Sequence, residues 1–201
     1  MGLPARPLPS SRLAFEELRE RLRSTAMPVR GERLASALPA LDRALGGGFT
    51  KGTLTMLEGP AGSGRWALAT RLLAQGTQRG LAAVIDSGAL YPPDLVAAGV
   101  ALERLVIVSA AAPVAAARAA DALLRSRACG VVALDAPTLR SSLWVRLAGL
   151  AHKSGALLLV VAMHAQTELA AVAGLRLRCE RAGNEFCFHV RHESVRIPCS
   201  P

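Results

Sequence analysis

The chain has 201 residues and a formal net charge of +9. Hydrophobic residues make up 51% and charged residues 19%, which excludes a disordered chain. The length suits one domain with small appendages. Aromatics are only 3%, so the core has to be built from 38 alanines and 32 leucines. Only Lys51 and Lys153 are lysine, so almost all of the positive charge is arginine. A basic balance permits an anionic partner without establishing one.

Residues 1–11 hold three prolines and no apolar run of signal-peptide length. The longest apolar stretch, 156–163, is too short to span a bilayer. The four cysteines, Cys129, Cys179, Cys187 and Cys199, form no C-x-x-C pair and read as reduced thiols. His189 and His192 sit three apart on a predicted strand, so they point to opposite faces and make a poor metal pair. These features predict a cytoplasmic protein with no membrane span, no metal and no cofactor.

Residues 1–10 read as a Pro-rich leader. Over 11–25 the pattern predicts an amphipathic helix. Ala14, Leu18 and Leu22 fall on one side with Phe15 beside them, and Glu16, Arg19, Glu20 and Arg23 lie on the other. Glu17 and Arg21 form an i,i+4 pair in the favourable order. Pro28 and Gly31 break the pattern, so 1–32 is an appendage and 33–201 the core. The apolar face of the helix (Phe15, Leu18, Leu22) is a candidate partner surface.

The core alternates strand and helix. A short helix over 39–45 ends in Gly46, Gly47 and Gly48. Strands are predicted over 53–58, 81–86, 105–109, 130–135 and 156–163. Helices are predicted over 64–75, 93–98, 114–127 and 138–153. The strands are short continuous apolar runs, the pattern of strands covered on both faces. Strict alternation predicts a mostly parallel α/β sheet with crossover helices. The tail differs. Runs over 175–180 and 185–191, joined by a turn containing Gly183, predict a terminal antiparallel β-hairpin. Its arginines Arg176, Arg178 and Arg191 form a second candidate partner surface.

The most informative segment is Gly59, Pro60, Ala61, Gly62, Ser63, Gly64, Arg65, Trp66, between a predicted strand and a predicted helix. It has the glycine spacing of the phosphate-binding loop, G-x-x-x-x-G-K-[ST]. Such a loop turns backbone N–H groups around an anion at a helix N-terminus. Two chemical positions differ. Arg65 replaces the lysine, and its planar fork is no substitute for a compact ammonium. Trp66 replaces the Ser/Thr, and an indole has no oxygen for a hard cation. It is also large enough to intrude on the phosphate or metal space. Val131, Val132, Ala133 and Leu134 end in Asp135, like a strand whose carboxylate holds magnesium.

The run 38–48 followed by Lys51 and Gly52, the loop from Glu58 to Gly64, and the strands ending at Asp86 and Asp135 resemble a RecA-type ATPase core over about 34–195. The short length and altered loop are most similar to the ImuA (SulA-like) branch, RecA-fold accessory proteins of bacterial damage-induced mutagenesis. The resemblance implies a RecA-like core with a C-terminal hairpin and an N-terminal helix. It also implies a catalytic glutamate where Gly88 stands and a phosphate-sensing glutamine where Met163 stands, with Gln166 too late. Four changed positions (Arg65, Trp66, Gly88, Met163) predict a degenerate nucleotide site of Gly59, Gly62, Ser63, Gly64, Arg65, Trp66 and Asp135 with no ATPase activity. The connections 135–156 and 163–175 leave no room for two DNA loops, so DNA binding is expected to be weak or absent. The implied partners are RecA and an ImuB-like polymerase homologue, with self-association possible. Slow ATP binding or hydrolysis through Arg65 is the alternative, and a SulA-like inhibitor of cell division is a third reading.

Overall fold

The computed structural model describes residues 31–88, 90, 92–190 and 193–198. The predicted helix over 11–25 and its apolar face, Phe15, Leu18 and Leu22, lie outside the described residues. So do Arg191, His192 and Cys199.

The core opens with a two-stranded antiparallel ribbon, β1 (Arg33–Leu34) and β2 (Phe49–Thr50), which sequence reasoning did not anticipate. Between them lies α1 (Pro39–Ala44). Arg33 anchors the glycine turn after α1, donating to the carbonyls of Leu45 at 2.7 Å and Gly48 at 3.0 Å. Buried Lys51 pairs with Glu32 at 2.8 Å, and Arg79 reaches the same carboxylate at 3.2 Å. These contacts tie the ribbon to the main body.

Then follow β3 (Leu54–Glu58), α2 (Arg65–Arg79), β4 (Leu81–Asp86), α3 (Pro92–Ala97), β5 (Leu105–Ser109), α4 (Pro113–Ser126), β6 (Cys129–Asp135), α5 (Ser141–Ser154), β7 (Leu157–Ala162), the single turn α6 (Thr167–Ala170), β8 (Leu175–Ala182), β9 (Glu185–Val190) and β10 (Glu193–Pro198). One eight-stranded sheet results, in the order β10-β9-β8-β3-β7-β6-β4-β5. From β8 to β5 all neighbours are parallel, while β8–β9 and β9–β10 are antiparallel. The expected hairpin therefore carries a third strand, β10. Its turn is tighter than expected, with Ala182 paired to Glu185 and only Gly183 and Asn184 between them. Gly183, at φ +60°, supplies the positive dihedral that a two-residue loop of this kind asks of its first residue.

The central strands β3, β4, β6 and β7 are buried on both faces, as their apolar runs predict. Alternate side chains feed two layers. Leu57, Val84, Ala133 and Leu159 pack with Leu68 and Leu72 of α2. Met56, Ile85, Val132 and Val160 pack with Ala116, Ala120 and Leu124 of α4 and with Trp144 of α5. Small residues on α4 let the helix approach the sheet, which is where part of the alanine content goes. The edge strand β5 departs from the expectation of two covered faces. It pairs only with β4 and leaves Ile107 45% exposed.

Two helix boundaries differ for physical reasons. α2 runs one turn beyond 75, through Gly76. A Cβ there would fall 2.8 Å from Val131 Cγ2, so this glycine permits a close helix–strand contact and does not end the helix. α5 begins at Ser141, not 138. Leu139 is buried and Arg140 holds an extended ψ of 149°, so the connection reaches inward before the helix starts.

Candidate nucleotide-loop site

The glycine loop follows β3, in the middle of the sheet, and opens α2 as its sequence predicts. Its ends are fixed by neighbouring backbone. Gly59 N–H donates to the Ala162 carbonyl at 3.2 Å, and Ser63 N–H to the Pro60 carbonyl at 3.2 Å. A Cβ on Gly59 would fall 2.2 Å from the carbonyl oxygen of Cys179, so the loop lies hard against β8. Gly62 and Gly64 hold φ of +75° and +84°, with Gly64 as N-cap of α2. Ser63 is 1% exposed, and its hydroxyl has no partner among the described residues.

Arg65 does not extend away from the loop. Its Nη1 donates to the carbonyl of Pro60, five residues back. Its Nε is buried without a partner among the described residues. The guanidinium is close enough to Cys179 to pull that thiol's pKa down, but burial outweighs it and pushes the thiol up to about 12, with Glu58 adding to the rise. Trp66 is half-buried and packs on the apolar layer beneath α2, the layer that Phe186, Val195 and Ile197 of the terminal strands also join.

Asp135 ends β6, two strands from the loop-bearing β3, with β7 between them. Its Oδ2 accepts the hydroxyl of Ser87. Asp86, at the end of β4, is buried and serves the adjoining turn. Its Oδ2 accepts the N–H groups of Gly88 at 2.9 Å and Leu90 at 3.2 Å. Gly88 sits at φ +114° with open space around its α-carbon. Met163 is 53% exposed after β7, and Gln166 stands at the N-cap position of the short α6 without a side-chain capping bond.

The candidate partner arginines Arg176 and Arg178 lie on one face of β8. Arg176 pairs with Glu58 at 3.4 Å and Arg178 with Glu180 at 2.7 Å. Glu180 also meets His189 Nε2 at 3.3 Å, and His189 Nδ1 meets the Ser194 hydroxyl at 2.7 Å. Glu58, Arg176, Arg178, Glu180 and His189 line a cavity of about 660 Å³ beside the sheet extension, together with Gly174 and Leu175. The arginines thus reach carboxylates of their own chain.

The tertiary structure adds residues that sequence reasoning missed. Phe186 lies against Gly64, Ser87 engages Asp135, and Glu58 meets Arg176. Only Phe186 left a sequence signal, the alternation with Phe188 that marks one apolar face of β9. Among the described residues no three His, Cys, Asp or Glu side chains gather as a metal site. No helix among them is long and apolar enough to cross a membrane.

A sequence profile of the RecA N-terminal domain matches residues 22–141. The chain is similar to the RecA proteins of Nostoc punctiforme (37% identity over 113 residues, 55% of this chain and 31% of the relative) and Trichodesmium erythraeum (37% over 115 residues, 56% and 31%). RecA of Prochlorococcus marinus matches at 34% over 112 residues, 55% of this chain and 30% of the relative. The chain thus covers under a third of the length of these relatives. The match holds the glycine loop, both strand-end aspartates and the helices between them. With its parallel sheet and antiparallel terminal strands, the fold is RecA-like, and the chain belongs to the RecA N-terminal domain family.

Proposed function

We propose that this protein is a non-hydrolysing RecA-fold interaction module. The observation that carries this reading is Arg65, the residue at the phosphate-lysine position, turned onto the Pro60 carbonyl of its own loop. The family's usual cargo is a magnesium-bound nucleoside triphosphate. The residues present do not fit it. The metal needs an oxygen ligand at the second residue of α2, and Trp66 supplies an indole packed on the core. The β6 carboxylate accepts Ser87. No general base stands at Gly88. Without a metal or a base, phosphoryl transfer lacks both its charge neutraliser and its means of orienting water.

The module's role is to act beside RecA-type filaments in the DNA damage response and translesion synthesis, docking on RecA or on a polymerase-like partner and limiting filament activity. The support is the family membership together with the connections after β6 and β7, the first largely filled by α5 and the second a short link holding the single turn α6. A second reading, weak anion binding at the loop, is favoured by Gly62 and Gly64, which keep the positive φ such a cradle requires.

A thermal melt with and without ATP and magnesium separates the two. A nucleotide binder gains about 2.7 kcal/mol at a hundredfold excess over Kd. The expected result is no shift and no phosphate release. A saturable shift with phosphate release overturns the non-hydrolysing reading. Pull-down with RecA and a strand-exchange assay test the docking. Slower exchange is expected, and no contact with unchanged exchange sinks that role.

A further inference from the structure

The outer face of α4 and α5 carries a feature unrelated to the nucleotide loop. Between the two helices lies a cavity of about 250 Å³. Its apolar lining is Val114 and Ala117 from α4 and Leu143 and Leu147 from α5. Val114 is 57% exposed, an aliphatic side chain left for water at the cavity's mouth. Arg118, Asp121 and Arg146 complete the lining.

The charge on these two helices and their flanks is one-sided. The two helices with their flanking residues carry Arg118, Arg125, Arg127, Arg140, Arg146 and Lys153, all exposed, against the single carboxylate Asp121. Asp121 bridges the helices, meeting Arg146 Nε at 2.6 Å and Arg125 Nε at 2.8 Å. That bridge holds the Arg146 guanidinium at the cavity, with Asp121 itself part of the lining. Arg118 has no ion pair among the described residues. An apolar slot flanked by the unpaired Arg118 and the Asp121-held Arg146 complements a helix or strand with aliphatic anchors and carboxylates around them.

We propose that the α4–α5 groove docks an acidic amphipathic segment of another protein, with an aliphatic side chain in the cavity and carboxylates on Arg118 and Arg146. A nucleic acid would find the cations, but the groove holds no aromatic ring on which a base could stack. The proposal is independent of whether the loop handles nucleotide.

The test uses the full chain and a fluorescein-labelled peptide with leucines at helical spacing and glutamates elsewhere. Fluorescence anisotropy is expected to show binding that weakens with salt. Arg118→Glu, which breaks no pair in the fold, should weaken binding at least about tenfold. Val114→Glu should do the same by spoiling the apolar slot, and an unchanged melting curve for each variant excludes unfolding. A lysine-for-glutamate peptide should not bind. Equal binding of the two peptides, or full affinity in both variants, overturns the proposal. So does a single-stranded oligonucleotide that binds with the same Arg118 dependence while the glutamate peptide does not.

Discussion

The ring of Phe186 lies against the backbone of Gly64, so close that a Cβ on this glycine would fall 2.6 Å from Phe186 Cδ1. Gly64 closes the loop and caps α2, and Phe186 is the second residue of β9. The terminal antiparallel strands are therefore clamped onto the loop that the sequence singles out. Gly64→Ala meets both the ring and the strain of φ +84°, and should cost about 1–3 kcal/mol in urea denaturation. In a Phe186→Ala background the same change should cost less, because only the backbone strain remains. Equal costs in the two backgrounds would show that the ring does not bear on the loop.

The loop's chemistry can be challenged by restoration. Arg65→Lys with Trp66→Thr returns the lysine and the hydroxyl of the family pattern. Phosphate release should remain at background, because position 88 is still glycine and offers no base. The double variant should also lose stability by removing the half-buried indole from the layer beneath α2. Turnover by this variant would place the whole defect in those two residues.

The buried thiols give a test of packing. Burial pushes both Cys129 and Cys179 up to about 12. Both should therefore resist iodoacetamide in the native protein near neutral pH and react after denaturation, as read by mass spectrometry of the peptides. Rapid native labelling at Cys179 would mean that β8 opens away from the loop.

Acid should loosen two surface ties. Glu32 is held below its ordinary value of 4.5, first by the hydrogen bond from Lys51 and then by the charges of Lys51 and Arg79, against its partial burial. Asp121 is held below 3.8, chiefly by the hydrogen bond from Arg146. Both folded values are depressed, so each contribution is present above the ordinary value and is lost as pH falls through the folded one. Stability should therefore decline below about pH 4.5, more shallowly at high salt, since solvent reaches Glu32, Arg79 and Arg146. Glu32→Gln should remove the upper part of that slope and leave buried Lys51 without its partner. A slope unchanged by this variant would assign the acid response elsewhere.

Much of the fold was legible in the chain. The continuous apolar runs ending at Asp86 and Asp135 could only be strands covered on both faces, and both strands end where the runs end. The glycine spacing from Gly59 to Gly64 fixed a strand–loop–helix junction. Periodicity was less informative where a residue serves a distant neighbour. Gly76 reads as a helix end, yet it is the point where α2 touches Val131. The two-residue strands β1 and β2 are too short for a pattern, and they and β10 exist because a partner strand supplies their hydrogen bonds.

The sequence by itself determined that Arg65 and Trp66 stand in a phosphate-type loop and that the charge is carried by arginine, because residue identity is independent of conformation. Only the tertiary structure decided where those groups point. Arg65 turns to Pro60, and Ser87 engages Asp135. Arg176 and Arg178 find Glu58 and Glu180, so two of the arginines that looked available to a partner are held by carboxylates of the same sheet. On α4 and α5 the imbalance of charge survives folding, because these helices and their flanks carry six cations and the single carboxylate Asp121, which pairs with only Arg125 and Arg146. Charge is written in the chain, but whether it is paired depends on which strands and helices become neighbours.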